Sequence, residues 1–349
     1  MTVWQGEFGK INGRVVDMFT MENINGMQIK CINYGCIITK ILVPDSNGML
    51  ENIVLGYTNL EEYIKDASYF GAVIGRVAGR IAGAQFELDG ITYTLPQNEN
   101  QNHLHGGSSG FHNVIWDASV SENDGEATIE FTYKSPDGEE GYPGNVIMIV
   151  RYTLTNDNEL LISYYGTSDK KTLLNVTNHT YFNLSGDLKN DVSEHILTIK
   201  SDKFLELNND LLPTGKILDV KNTPFDFRKG RKVADGLQSS HSQNVLAGYG
   251  YDHPFVLSTN YQQEVRLVDQ ESGRVMVIET DEPSVILYTG NQLEGHYIVH
   301  GVPIIKHLGL CLETQGLPDS IHHSHFPSIV LEEGEKFNSK TKYSFSIMN

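Results

Sequence analysis

Basic residues are scarce in this chain. Its 349 residues carry 26 lysines and arginines against 44 aspartates and glutamates, a formal net charge of -18. Nothing supplies the basic stripe that phosphate neutralisation needs, which excludes nucleic acid as a partner and argues equally against an anionic membrane surface. A neutral or cationic small molecule fits the charge better. Long apolar runs are also missing. Stretches such as Val146 to Val150 stop after a few residues, far short of a membrane span. The start, Met1 to Lys10, has no apolar h-region and no cleavage signal. Cysteine is sparse and odd in number, with only Cys31, Cys36 and Cys311. A disulfide framework is not expected, so a reducing cytoplasm is the default location. Free thiols of this kind usually act as small apolar core residues. Finally, there is no Gly-x-Ser-x-Gly elbow, no nucleotide fingerprint and no lysine-terminated phosphate loop. What remains is acid–base chemistry on an unactivated polar ligand.

The residues that are present alternate. Ala127 to Tyr133 alternates and then meets Ser135-Pro136-Asp137-Gly138, a turn built on the fixed φ of proline and the permissive glycine. Asn145 to Leu154, Leu160 to Tyr165, Glu194 to Lys200, Glu264 to Asp269, Arg274 to Glu279 and Ser284 to Tyr288 read similarly. Many short strands punctuated by Gly, Asp and Asn predict an all-β antiparallel sandwich or barrel. Helical signals are few. Thr58-Asn59-Leu60-Glu61 reads as a capping box opening a short helix through Lys65. No linker, low-complexity tract or repeat divides the chain, so residues 1–349 are expected to form one domain.

Two runs carry candidate chemistry. In His307 to Gln315, a period of two puts Leu308, Leu310 and Leu312 on one face and Gly309, Cys311 and Glu313 on the other. The leucines suit a core, and the carboxylate stands beside two small residues that leave it room. Taken alone, this run reads as a surface glutamate on an exposed strand. In Asn178 to Leu184 the same alternation groups His179, Tyr181 and Asn183. An imidazole and a carboxylate, both on strand faces, form an acid–base pair if the fold brings them together.

Other polar segments are Gly75 to Arg80, Asn102 to Gly107 and Gly250 to Phe255. Arg76 reads as a structural arginine, whereas the Arg80 guanidinium could hydrogen-bond sugar hydroxyls. His322, His323 and His325 cluster in a loop, but adjacent histidines on an extended chain diverge and no cysteine lies beside them. No metal site is expected.

Together these segments resemble the galactose mutarotase (aldose 1-epimerase) family along nearly the whole chain. The resemblance rests on Asn33-Tyr34-Gly35, Val43-Pro44-Asp45, Gly75 to Ile81, Asn102 to Gly107 with Gly110-Phe111, and Ser135 to Gly144. It continues through Thr177 to Leu184, Pro213-Thr214-Gly215, Thr223 to Arg228, Gly250 to Phe255, Tyr288 to Asn291 and Cys311 to Gln315. It implies a large antiparallel β-sandwich (a supersandwich with a few short helices) and a sugar cleft on its concave face. By motif position, His179 is the expected general acid and Glu313 the general base. Arg80, His105, Tyr181 and Asp252 are expected to hydrogen-bond the sugar. Two positions depart from the pattern: Gly79 stands where asparagine is usual, and Ile286 where glutamine is common.

The implied reaction interconverts the α and β anomers of aldohexopyranoses such as galactose and glucose. It needs no cofactor, and its partner is a monosaccharide. A carboxylate close to His179 is expected to raise the imidazole pKa. A maltose or pentose preference, and a sugar-binding sandwich without turnover, are the alternatives. A glycosidase would need Asp252 in place of His179 as the partner of Glu313. The chain is expected to work as a monomer or homodimer.

Overall fold

In the computed structural model, which describes residues 1–65, 68–295 and 297–348, three antiparallel sheets dominate. A five-stranded meander opens the chain, formed by Thr2–Ile11, Arg14–Glu22, Gln28–Ile32, Ile38–Pro44 and Leu50–Asn52. A nine-stranded sheet follows. Its long central strands are Glu126–Ser135, Val146–Thr155, Glu159–Ser168 and the C-terminal Lys336–Ile347. The Ser135 to Gly138 turn joins the first two of these through Tyr142-Pro143-Gly144, as the proline and glycine positions imply.

The third sheet has six strands in the order Tyr181–Phe182, Leu310–Gln315, Ser284–Tyr288, Asp252–Val256, Lys203–Leu207 and Pro213–Asp219. Its inward face presents Leu310, Leu312, Val285, Leu287 and Phe255. These pack in one apolar cluster with Phe131, Val150 and Ile278 of the nine-stranded sheet and Phe19, Ile29 and Ile41 of the meander. Burying each such side chain contributes about 1.5–3 kcal/mol. The core therefore lies between sheets, and the architecture is a β-sandwich with short helices.

The helix after Thr58 spans Leu60–Lys65. Its cap is one residue later than expected. The Asn59 side-chain oxygen accepts from the Glu62 amide at 3.0 Å, and its amide group donates back to the Glu62 carboxylate at 2.7 Å. Asparagine competes well for this position because its short side chain reaches the third amide of the helix. Residues 235–250, a long loop by sequence, fold into two short helices, Ala234–Leu237 and Ser242–Leu246. From the second helix, Gln243 brackets Leu207, accepting from its N–H at 2.8 Å and donating to its carbonyl at 3.0 Å. This segment buttresses the edge of the six-stranded sheet.

Candidate active site

Residues directly opposite one another in neighbouring strands share a face, as do residues two apart along a strand. In the six-stranded sheet Asp252 pairs with Tyr288, Tyr288 with Cys311, and Cys311 with Tyr181. One step along, Pro254 pairs with Ile286 and Ile286 with Glu313. The outward face thus carries two parallel rows of side chains. Glu313 and Ile286 stand in one, Asp252 and Tyr288 in the other.

His179 extends the first row beyond Glu313. Its Nε2 lies 3.5 Å from Glu313 Oε1, and both side chains are buried. Strand pairing ends here: the His179 amide donates to the Ala72 carbonyl at 2.8 Å, and the Gly71 amide donates to the His179 carbonyl at 3.1 Å. Asn178 sets this turn, accepting from the Thr180 amide and donating to the Gly71 carbonyl at 3.0 Å. The alternation read in the sequence gives the right face, although only Tyr181–Phe182 pairs with the 310–315 strand.

A second wall comes from a short ladder in which Leu104 pairs with Arg80. His105 follows with φ of 53°, and Gly79 has φ of 77°. Their backbones and rings interlock: the His105 amide donates to the Gly79 carbonyl at 3.0 Å, and the Gly79 amide donates to His105 Nδ1 at 3.2 Å. With Nδ1 accepting, the ring proton sits on Nε2. Gly106 cannot be replaced, because a Cβ there would lie 1.9 Å from the Gly75 carbonyl oxygen. Arg80 donates from Nε and one terminal nitrogen to the two oxygens of Glu99, at 2.6 and 2.8 Å. Its other terminal nitrogen faces Asp252 at 3.9 Å.

Arg80, His105, His179, Tyr181, Asp252 and Glu313 all line one cavity of about 260 Å³. Tyr181 packs between Phe70 and His179, with ring centroids 4.9 and 5.1 Å away. Six further polar residues line the same cavity: Ser68, Tyr69, Glu99, Tyr288, Gln292 and Gln315. Tyr288 and Gln315 sit at the ends of recognisable motifs, and alternation from Ile286 and Glu313 finds them. Glu99 lies in no motif, and its role emerges only from the fork it makes with Arg80. Tyr69 lies 4.8 Å from the His105 ring and 5.7 Å from that of His179.

Burial governs the titration of this site. It holds the Glu313 carboxyl well above the usual carboxylate range, with the nearby Asp252 charge adding to the effect and Arg80 opposing it. Burial likewise raises Asp252, again against Arg80. The expectation that Glu313 would raise the pKa of His179 is overturned. Burial dominates and pushes the imidazole down to about 4. The reason is that desolvation disfavours the charged form of each group. His105 is held well below its ordinary range by burial and by the charges of His179 and Arg80. Burial lowers Arg80 as well, but Asp252 and Glu99 outweigh it and raise the guanidinium.

His179, Cys311 and Glu313 offer ligand atoms within 4.8 Å of one another, the one such group among the described residues. Burial keeps the Cys311 thiol well above its ordinary range. Its sulfur lies 3.5 Å from His179 Nδ1. Of the loop histidines, His322 and His323 both face the Asp319 carboxylate, at 2.6 and 3.7 Å; His323 also meets the Pro213 carbonyl at 3.2 Å and His325 the Gly215 carbonyl at 2.8 Å. Arg76 is structural, but its partners are not carboxylates. It donates to Ser135 Oγ at 2.8 Å and to the carbonyls of Pro136 and Pro143 at 2.8 and 2.9 Å.

The profile of the aldose 1-epimerase family matches residues 17–344. The chain belongs to the aldose 1-epimerase family. Among its relatives, the galactose mutarotase of Rattus norvegicus is 39% identical over 99% of both chains. The aldose 1-epimerase of Haemophilus influenzae is 35% identical over 98% of this chain and 99% of its own. Among solved structures, the galactose 1-epimerase from Lactobacillus acidophilus NCFM superposes with a TM-score of 0.89 at 31% identity, covering 100% of this chain and 99% of its own. The family therefore spans the meander, the sandwich and both walls of the cavity, as an isomerase fold of strands with little helix.

Proposed function

We propose that this cavity interconverts the α and β anomers of an aldopyranose by opening and reclosing its ring, with galactose and glucose as reference substrates. One observation carries the reading: the His179 imidazole and the Glu313 carboxyl group, remote from one another in the chain, are held side by side on a sugar-sized cavity. Their separation of 3.5 Å suits two groups that address neighbouring oxygens of one substrate.

Ring opening moves two protons. Glu313, as carboxylate, takes the proton of the anomeric hydroxyl, while His179, as imidazolium, gives one to the ring oxygen. The C1–O5 bond breaks as the C1 carbonyl forms. Rotation about C1–C2 presents the other carbonyl face to the C5 hydroxyl, and the same two groups run in reverse. The reactive form pairs a Glu313 carboxylate with a His179 imidazolium; hydroxyl dipoles of a bound sugar would favour both charges, and the Arg80 charge would favour the carboxylate. His105, with its proton on Nε2, would donate to a hydroxyl, and Asp252 would accept from one. Arg80 offers the terminal nitrogen not committed to Glu99. No redox change occurs, so two positioned groups at about 10²–10⁴-fold each can supply much of the acceleration.

Polarimetry on freshly dissolved α-galactose and α-glucose tests this. Glu313→Gln and His179→Asn are expected to lower the catalysed rate at least about 100-fold. Unchanged relaxation in both variants would remove the pair from the mechanism.

We further assign residues 1–349 to one catalytic domain, since the main apolar cluster draws on all three large sheets. Free, buried Cys31, Cys36 and Cys311 support a reducing, cytoplasmic setting. Among the described residues no helix is long and apolar enough to cross a membrane. A monomer or homodimer is the expected assembly.

A further inference from the structure

Resting on that reading, we infer that the substrate is an aldose with a hydroxyl or hydroxymethyl group missing from one edge, a deoxyaldose or a pentose. The argument comes from the order of side chains on the six-stranded sheet. Beside Glu313, in the same row, stand Ile286 and then Pro254, and both line the cavity. Leu207, Leu211 and Pro213, from the adjoining hairpin, continue that wall. None of these side chains carries a hydrogen-bonding group. Their backbones offer little more, because the 284–288 strand is paired on both sides, to 252–256 and to 310–315.

Neighbouring strands lie about 4.8 Å apart, so Ile286 stands one strand spacing from the base and Pro254 two. A pyranose held by His179 and Glu313 at its ring oxygen and anomeric hydroxyl must lay part of its remaining edge over this apolar pair. The polar groups of the sheet stand elsewhere, Asp252 and Tyr288 to one side of the row and Gln315 to the other, while Arg80, Ser68 and Gln292 line the cavity from segments outside this sheet. Gly79, at the same cavity wall, adds no side chain. A hydroxyl pressed against Ile286 would lose water and gain no partner, and a C–H or methyl group there gains contact. This predicts selection rather than mere tolerance, because the hydroxyl that is present there loses water without a partner, whereas its absence leaves no protein group unpaired.

The test is a set of pure anomers followed by polarimetry or NMR, with uncatalysed rates subtracted. It comprises D-galactose, its 2-, 3-, 4- and 6-deoxy forms, and L-arabinose, which is galactose without C6. At least one of the five analogues is expected to exceed galactose in kcat/KM, by about tenfold. In Ile286→Gln that advantage should fall to parity or reverse, through a lower KM for galactose. If galactose exceeds every analogue in the native enzyme, the inference is overturned while the epimerase reading stands. If no sugar is accelerated, the epimerase reading itself fails. The native measurements decide the matter even if the variant does not fold.

Discussion

The two faces of the six-stranded sheet are almost equally buried and chemically opposite. Every residue of Leu310–Gln315 is buried, yet Leu310 and Leu312 lie in the apolar cluster while Glu313 lines the cavity with His179 and Tyr181, and Cys311 sits behind the His179 ring. Inward, burial removes apolar surface from water and stabilises the fold. Outward, the same dryness falls on titratable groups, lifting Glu313 and depressing His179. The comparison teaches that burial here is spent on two different ends. One face holds the sandwich together, and the other moves the titration of two groups away from the values they would have in water.

Variants that exchange these outcomes break the comparison most sharply. Glu313→Gln and His179→Asn should cost at least about 100-fold in rate with the fold intact, since each amide keeps the shape of the group it replaces. Leu312→Ala, one residue from the base but on the other face, should do the reverse. It should cost about 2–5 kcal/mol of stability, read from denaturant unfolding, while activity per folded molecule stays within a few-fold. Equal losses of activity in Leu312→Ala and Glu313→Gln would erase the distinction between the faces.

The pH dependence sharpens it next. Activity needs one proton on the pair. Below about 4 the imidazole takes a second, and above the raised Glu313 value the last is lost. A bell-shaped kcat/KM profile should result, with its acid limb near 4 and its alkaline limb well above the ordinary carboxylate range. Stability shifts with the same groups. His179 is neutral when folded at pH values where the unfolded chain, with the ordinary 6.5, already binds a proton. The unfolded state therefore gains as pH falls from 6.5 towards 4, by up to about 3 kcal/mol for this residue. His179→Asn should narrow the difference in Tm between pH 7 and pH 4.5.

The smallest expected effect is at Glu99, a positioning residue for Arg80. Glu99→Gln leaves one oxygen where two received the guanidinium. We expect KM to rise about tenfold with little change in kcat, as the freed fork swings towards Asp252. A matching loss in kcat would instead place Glu99 within the chemistry.

How far these features are readable beforehand differs by residue. Alternation alone assigns Glu313 and Leu312 to opposite faces, and the Ser135 to Gly138 turn follows from its proline and glycine. That pattern cannot say what covers the outward face. Glu313 reads as a surface residue until the 71–80 and 99–105 segments are seen closing over it, brought there by contacts remote in sequence. The helix cap shifts from Thr58 to Asn59 because two adjacent residues can both cap, and local geometry chooses. Glu99 is invisible in sequence because an acid in a loop has no period and no motif.

By itself the order of residues determined the strand periods, the turn positions, the polar segments and their kinship with the aldose 1-epimerases. These depend on neighbours along the chain, where side-chain direction follows from backbone period. Only the tertiary structure decided that His179 meets Glu313, that both are buried, that Arg80 is held by Glu99 and that Ile286 flanks Glu313. Such facts depend on distance through space and on local dielectric, and a linear pattern encodes neither.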